Sequence, residues 1–111
     1  MDIKQKEIKE YVNETGRSLF REWLLGLKDV GIRARIRMRI NRLRFGNLGD
    51  CRFLGNGVYE LKMDVGPGYR LYFGRESDLV LILLCGGTKK SQQKDIEKAK
   101  ELWQDFTRRR K

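Results

Sequence analysis

Histidine does not occur in the 111 residues. Its absence excludes hydrolases built on a Ser-His-Asp or Cys-His set, and ribonucleases that shuttle protons between paired histidines. Cysteine is scarce. Cys51 and Cys85 form no CxxC pair, and with no histidine to complete a ligand set, structural zinc is excluded. Both thiols read as small buried apolar residues. The single proline, Pro67, lies between Gly66 and Gly68 and marks a turn, not a phosphate cradle. Long apolar runs are also missing: the longest, Leu79 to Cys85, is too short to span a bilayer. The opening MDIKQKEIKEY is charged and has no apolar core of a secretory signal. The expectation is a cytoplasmic protein with reduced thiols and no membrane partner.

Positive charge is what the chain has in excess. Lys and Arg number 25 against 15 Asp and Glu, for a net charge of +10 and a pI near 10.0. Such a balance suits a polyanionic partner, RNA or DNA, because clustered cations neutralise phosphates and release counterions. The charge is concentrated, since no acidic residue occurs between Val30 and Gly49. Within that stretch GIRARIRMRINRLRFGN alternates apolar and basic residues like a strand, but after Ile40 the next apolar position is Leu43. That step of three belongs to a helix. At about 100° per residue Ile32, Ile36, Ile40 and Leu43 fall on one stripe, with Ala34 and Met38 on the far side. Arg33, Arg37 and Arg44 then flank the stripe on one side, and Arg35, Arg39 and Arg42 on the other. All six are candidate RNA-binding residues, although such charges also suit a solvated face or a docking surface for an acidic protein.

Residues 1–111 form a single domain by length. Ile3 to Asn13 can hold a first strand, with Ile8 and Val12 two alternation steps apart. Leu19, Phe20, Trp23, Leu24 and Leu27 repeat at helical spacing, with Gly31 closing the segment, so that this helix and the arginine-rich one form an antiparallel αα-hairpin. After Gly46 short strands alternate with the turn signals NG and VGPG, which predicts a meander. DLVLILLCGG reads as a central strand covered on both faces. A last helix carries Ile96, Ala99, Leu102, Trp103 and Phe106 at steps of three and four, with Ser91 as its N-cap and a basic tail. The order β, α, α, β, β, β, β, α predicts an α+β domain: an antiparallel sheet of four to five strands packed against the N-terminal hairpin and a C-terminal helix.

Alternation also sorts side chains by face. Tyr59, Leu61, Met63, Tyr69, Leu71 and Phe73 point to the core, so Glu60, Lys62, Arg70 and Tyr72 share the opposite, open face if their strands pair. That is a compact group of carboxylate, cations and an aromatic hydroxyl, which on its own reads first as a cross-strand ion pair on a polar sheet surface and second as a catalytic site. Lys89 and Lys90 follow the buried strand and precede a helix N-terminus, where backbone amides favour phosphate. Without histidine, RNA cleavage here would align the 2′-hydroxyl with its own phosphate, let lysine, glutamate or tyrosine move protons, and set arginine against the phosphorane charge.

The segments ETGRSLFREWLLGLKD, RFGNLGDCRFLGNGVYELKMDVGPGYRLYF and LLCGGTKKSQQKDIEKA together resemble the RelE/ParE toxin superfamily, most closely its HigB-like branch of phage-related addiction module killer proteins. The resemblance covers nearly the whole chain. It implies a RelE-like fold and the toxin of a type II toxin-antitoxin pair, a ribosome-dependent mRNA endonuclease needing no metal or cofactor and leaving a cyclic phosphate. Its partners would be the ribosome, mRNA and a cognate helix-turn-helix antitoxin, with a toxin-antitoxin heterotetramer as one assembly. By the same resemblance Arg70 falls on a catalytic arginine that stabilises the scissile phosphate, and Lys62 on the second of two catalytic lysines. Glu60 stands where the first lysine would be, and Lys89 and Lys90 lie near a further catalytic arginine. The family's C-terminal tyrosine has no counterpart in SQQKDI, and the histidines of HigB ribonucleases are missing, which leaves Glu60 as base and Lys62 or Lys90 as acid. Two other readings stay open: a ParE-like inhibitor of DNA gyrase without nuclease chemistry, and an inactive family member that binds RNA or antitoxin.

Overall fold

The computed structural model describes residues 5–110. Strand β1 (Glu7–Glu10) is followed by helices α1 (Leu19–Gly26) and α2 (Val30–Arg44), strands β2 (Cys51–Gly55), β3 (Val58–Lys62), β4 (Tyr69–Ser77) and β5 (Val80–Thr88), and helix α3 (Gln92–Arg109). The α+β class and the element order agree with the sequence reading. The sheet runs β1-β5-β4-β3-β2, and β2 to β5 form the expected antiparallel meander.

The sheet is mixed, however, not antiparallel throughout. Strand β1 pairs parallel with β5, Ile8 opposite Leu81 and Glu10 opposite Leu83. Two helices separate β1 from the meander, which lets the chain cross over and run alongside β5 in the same direction. The expected first strand began at Ile3; its first two residues lie outside the described ones, and the strand itself is the four residues Glu7–Glu10.

In α2 the predicted stripe is the buried one: Ile36, Ile40 and Leu43 are buried, Ile32 packs at the margin and Met38 is exposed. Gly31 does not close α1. Helix α1 ends at Gly26, and Asp29 starts the next helix by accepting hydrogen bonds from the Gly31 and Ile32 amides at 2.8 and 3.2 Å. An aspartate ahead of a glycine is an N-cap as well as a turn signal, and here the cap prevails. Helices α1 and α2 lie on one face, where Phe20, Leu24, Ile36, Ile40 and Leu43 meet Leu61, Leu71, Phe73 and Leu83 of the sheet.

Helix α3 lies on the other face, so the sheet is the middle of three layers. Val58, Tyr72, Ile82, Leu84 and Cys85 pack there against Ala99, Leu102 and Trp103. Close approach is possible because Gly74 has no side chain: a Cβ there would stand 2.0 Å from Cε3 of Trp103. Strand β5, flanked by β1 and β4 and covered on both faces, is the interior strand that its continuous apolar run predicted, although β4 holds the middle of the sheet. A short 3-10 turn, Lys89–Ser91, precedes α3. Ser91 occupies the N-cap position without capping, its hydroxyl donating instead to the Asp95 carboxylate at 2.5 Å.

Candidate functional site

Strand pairing builds the site in two rows. Arg52 of β2, Glu60 of β3 and Tyr72 of β4 lie opposite one another, and Lys62 of β3 lies opposite Arg70 of β4. The side-chain period of two places both rows on the α3 face, as alternation predicted. The prediction that this face is open is corrected: α3 covers it. Glu60 and Arg70 are each only 5% exposed and Tyr72 is fully buried, so of the four residues only Lys62 reaches solvent. The apolar stripe of α3 needs a partner, and the Val58, Tyr72 and Leu84 side of the sheet is the surface available to it.

Glu60 is the centre of the hydrogen bonding. Its Oε2 accepts from the Tyr72 hydroxyl at 3.0 Å and from Nε2 of Gln92 at 2.9 Å. Its Oε1 accepts only from Nη2 of Arg52, at 3.1 Å, and the Arg52 side chain is 59% exposed. Oε1 is therefore the oxygen with hydrogen-bonding capacity left for an incoming group. Burial and the hydrogen bond to Glu60 push the Tyr72 hydroxyl well above its usual range, so it stays protonated and acts as a fixed donor.

Arg70 is held from the opposite side. Its Nη1 donates to the Gly68 carbonyl at 2.8 Å, which gives the Gly66-Pro67-Gly68 turn a positioning task. Nε of Arg70 has no hydrogen-bond partner among the described residues, and Oε2 of Glu60 stands 3.8 Å away. A buried guanidinium matched this loosely is costly, because its desolvation is only partly offset. A small cavity of about 250 Å³ opens beside it, lined by Asp50, Arg52, Glu60, Lys62, Arg70 and Gln92. A carboxylate, an incompletely neutralised buried cation and mobile exposed cations around one opening form a set that can receive an anion and move a proton.

Of the predicted site residues the structure thus brings Glu60, Lys62 and Arg70 to one cavity, with Tyr72 beneath as support. Lys89 lies nearby, its Cβ and Arg70 Nη1 both close to Gly68. Lys90 is exposed and does not line the cavity. Arg52 and Gln92 were not foreseen. Arg52 was accessible through the β2–β3 register, whereas Gln92 depends on where α3 docks.

The two sides of α2 face different surroundings. Arg37 and Arg44 line a groove of about 530 Å³ between α1 and α2, with Phe20, Leu24 and Ile40 in its wall. Arg35, Arg39 and Arg42 line a separate cavity that also contains Lys62. Arg33 is turned back on the chain, donating to the Leu27 carbonyl at 2.8 Å. None of the six makes an ion pair among the described residues.

These features define a three-layer α+β domain with a basic, carboxylate-centred cavity under its C-terminal helix. No family model matches the chain, and no solved structure matches it. A protein of Haemophilus influenzae (strain ATCC 51907 / DSM 11121 / KW20 / Rd), described as an uncharacterized protein, is 46% identical over 87 residues, which cover 78% of this chain and 88% of the relative. The chain belongs to the family of that protein. Among the described residues no helix is long and apolar enough to cross a membrane.

Proposed function

We infer that the protein is the toxin of a type II toxin-antitoxin pair, acting in the cytoplasm as a metal-independent, ribosome-dependent mRNA endonuclease with a RelE-like fold. The observation that carries this reading is the buried Arg70, incompletely paired with Glu60, at a cavity that shares Asp50 and Lys62 with the one lined by Arg35, Arg39 and Arg42. In the reaction, Oε1 of Glu60 takes the proton of a ribose 2′-hydroxyl as that oxygen attacks the adjacent phosphorus. Arg70 balances the charge that develops on the phosphoryl oxygens, and Lys62 gives a proton to the departing 5′-oxygen. One P–O bond forms and one breaks. The products are a 2′,3′-cyclic phosphate and a 5′-hydroxyl. Tyr72 and Gln92 hold the other carboxylate oxygen, and a neighbouring helix-turn-helix antitoxin neutralises the protein.

Expression of the wild-type chain and of Arg70→Ala in bacteria, with growth followed and the 5′ ends of a reporter mRNA mapped, tests the reading. New ends at codon spacing, lost in the variant, are expected. Growth arrest with intact mRNA and impaired supercoiling would replace it with gyrase inhibition, a reading that gives the Glu60 and Arg70 cluster no task.

A further inference from the structure

We propose that the cavity between α2 and the end of β3 is a second phosphate-binding site, which holds a backbone phosphate of the same RNA strand next to the one received at Arg70. The cavity measures about 350 Å³. Four cations line it, Arg35, Arg39, Arg42 and Lys62, against two carboxylates, Asp50 and Asp64. Two positive charges are in excess, and no ion pair joins any of these six groups among the described residues.

Arg39 is the fixed part of the site. The loop after α2 wraps its guanidinium, with Nη1 donating to the Asn47 carbonyl at 3.1 Å. Gly49, at φ +54°, suits the turn there, and a Cβ would lie 2.0 Å from Nη2 of Arg39 and displace the guanidinium. Nη2 itself is buried with no hydrogen-bond partner among the described residues. Burial above all disfavours the charged guanidinium, with Cys51 opposing that effect and the neighbouring Arg42 adding to it. An anion in the adjoining cavity would supply the missing counter-charge. Arg35 and Arg42, exposed at the rim, can close on it.

The geometry also says what kind of anion. Asp50 and Lys62 line both this cavity and the one at Arg70, so the two adjoin across these side chains. A free phosphate would fill one of them. A phosphodiester strand occupies both, with Lys62 between consecutive contacts, while the apolar Met63 and Val65 in the second cavity provide a surface for a sugar or base.

The identity of the strand as mRNA rests on the proposed function, but the binding test does not require cleavage. The probe is a short fluorescent oligouridylate, 2′-O-methylated so that it cannot be cut, titrated against the full chain over a range of salt concentrations. Arg35→Ala/Arg42→Ala is compared with Lys28→Ala/Lys98→Ala, which removes equal charge away from the cavity. The first variant is expected to lose about tenfold in affinity and to flatten the log-log salt dependence by about 0.7, the value of one phosphate contact on a single strand. The second is expected to leave the slope unchanged. Equal losses in both would show an unstructured basic surface and overturn the proposal, as would an unchanged slope in the first. All four positions are exposed, and matching unfolding midpoints verify that both variants fold. If the strand binds as expected while mRNA stays intact in cells, the nuclease reading fails and the phosphate site stands.

Discussion

Replacing Glu60 by glutamine separates chemistry from packing. The amide nearly preserves the shape, and its one oxygen can still accept from the Tyr72 hydroxyl. Placed at Oε2 that oxygen also keeps Gln92, but the amide nitrogen then faces Arg52, which now donates to Oε1 and loses its acceptor. Arg70 meanwhile stays buried with its ion-pair carboxylate gone. Removing one partner of a fully buried pair costs about 3–5 kcal/mol. Here the charges are 3.8 Å apart without a hydrogen bond between them, and exposed Arg52 carries part of the Glu60 interaction. The expected loss is accordingly smaller, about 2 kcal/mol, or a fall of roughly 8 °C in the unfolding midpoint for a domain of this size. Cleavage should fall much further, by about 10²- to 10⁴-fold, the usual contribution of a positioned general base. Binding of an uncleavable strand should hold or tighten, since a negative charge leaves the anion site. Thermal unfolding, purified translation with 5′-end mapping and equilibrium binding read the three quantities separately. Undiminished cleavage in Glu60→Gln, with none in Arg70→Ala, would remove Glu60 from the chemistry and leave Lys62 as the base.

Other consequences follow from packing and titration. Burial pushes the Cys51 thiol up to about 11 and the Cys85 thiol up to about 12, so at pH 8 only about one Cys51 in a thousand is thiolate. Labelling with a thiol reagent should be at least about a hundredfold slower in the native protein than in denaturant, and fast native labelling would contradict the burial. Gly74→Ala should destabilise by about 1–3 kcal/mol through collision with Trp103, whereas Gly26→Ala, with open space around its Cβ, should stabilise by about 0.4–1 kcal/mol; denaturant midpoints of equal sign would refute that contrast. The Tyr11 hydroxyl, with help from Arg108 and Arg109, holds the Asp105 carboxyl below its ordinary value. The stability this provides is complete above about pH 3.9 and is lost as pH falls through the native value. Asp105→Asn should therefore lose less stability than wild type on acidification, and parallel acid unfolding curves would exclude the effect.

What could be read from the residues depended on whether local geometry was enough. The helical reading of α2 rested on the step from Ile40 to Leu43, and the buried stripe follows it. The grouping of Glu60, Lys62, Arg70 and Tyr72 followed from the pleat, which fixes which side chains share a face. Alternation does not say what covers that face. A row containing two cations and a carboxylate looks like a solvent surface, and only the need of Ala99, Leu102 and Trp103 for a partner places α3 over it. The direction of β1 was not legible either, because four residues with Ile8 at one alternation step carry no information about their neighbour. Gln92 shows the same limit: its task appears only once the docking of α3 is known.

The position of α3 ties stability to the site through division of labour along one helix. Its second half is the anchor, with Trp103 seated over Gly74 and Asp105 receiving the Tyr11 hydroxyl from the end of β1. Its first turn contributes polar groups instead: Gln92 to Glu60, and Asp95 to the Ser91 hydroxyl. Apolar burial at one end thus supports desolvated polar groups at the other, where Glu60 and Arg70 could not remain buried on their own account. The cavity beside them stays open because exposed Lys62 and Arg52, not apolar side chains, form its outer wall. An anion entering there meets charges held by the fold before it arrives, with only the two exposed cations left to reorganise. That is the condition under which electrostatic stabilisation of a transition state costs least at the moment of reaction.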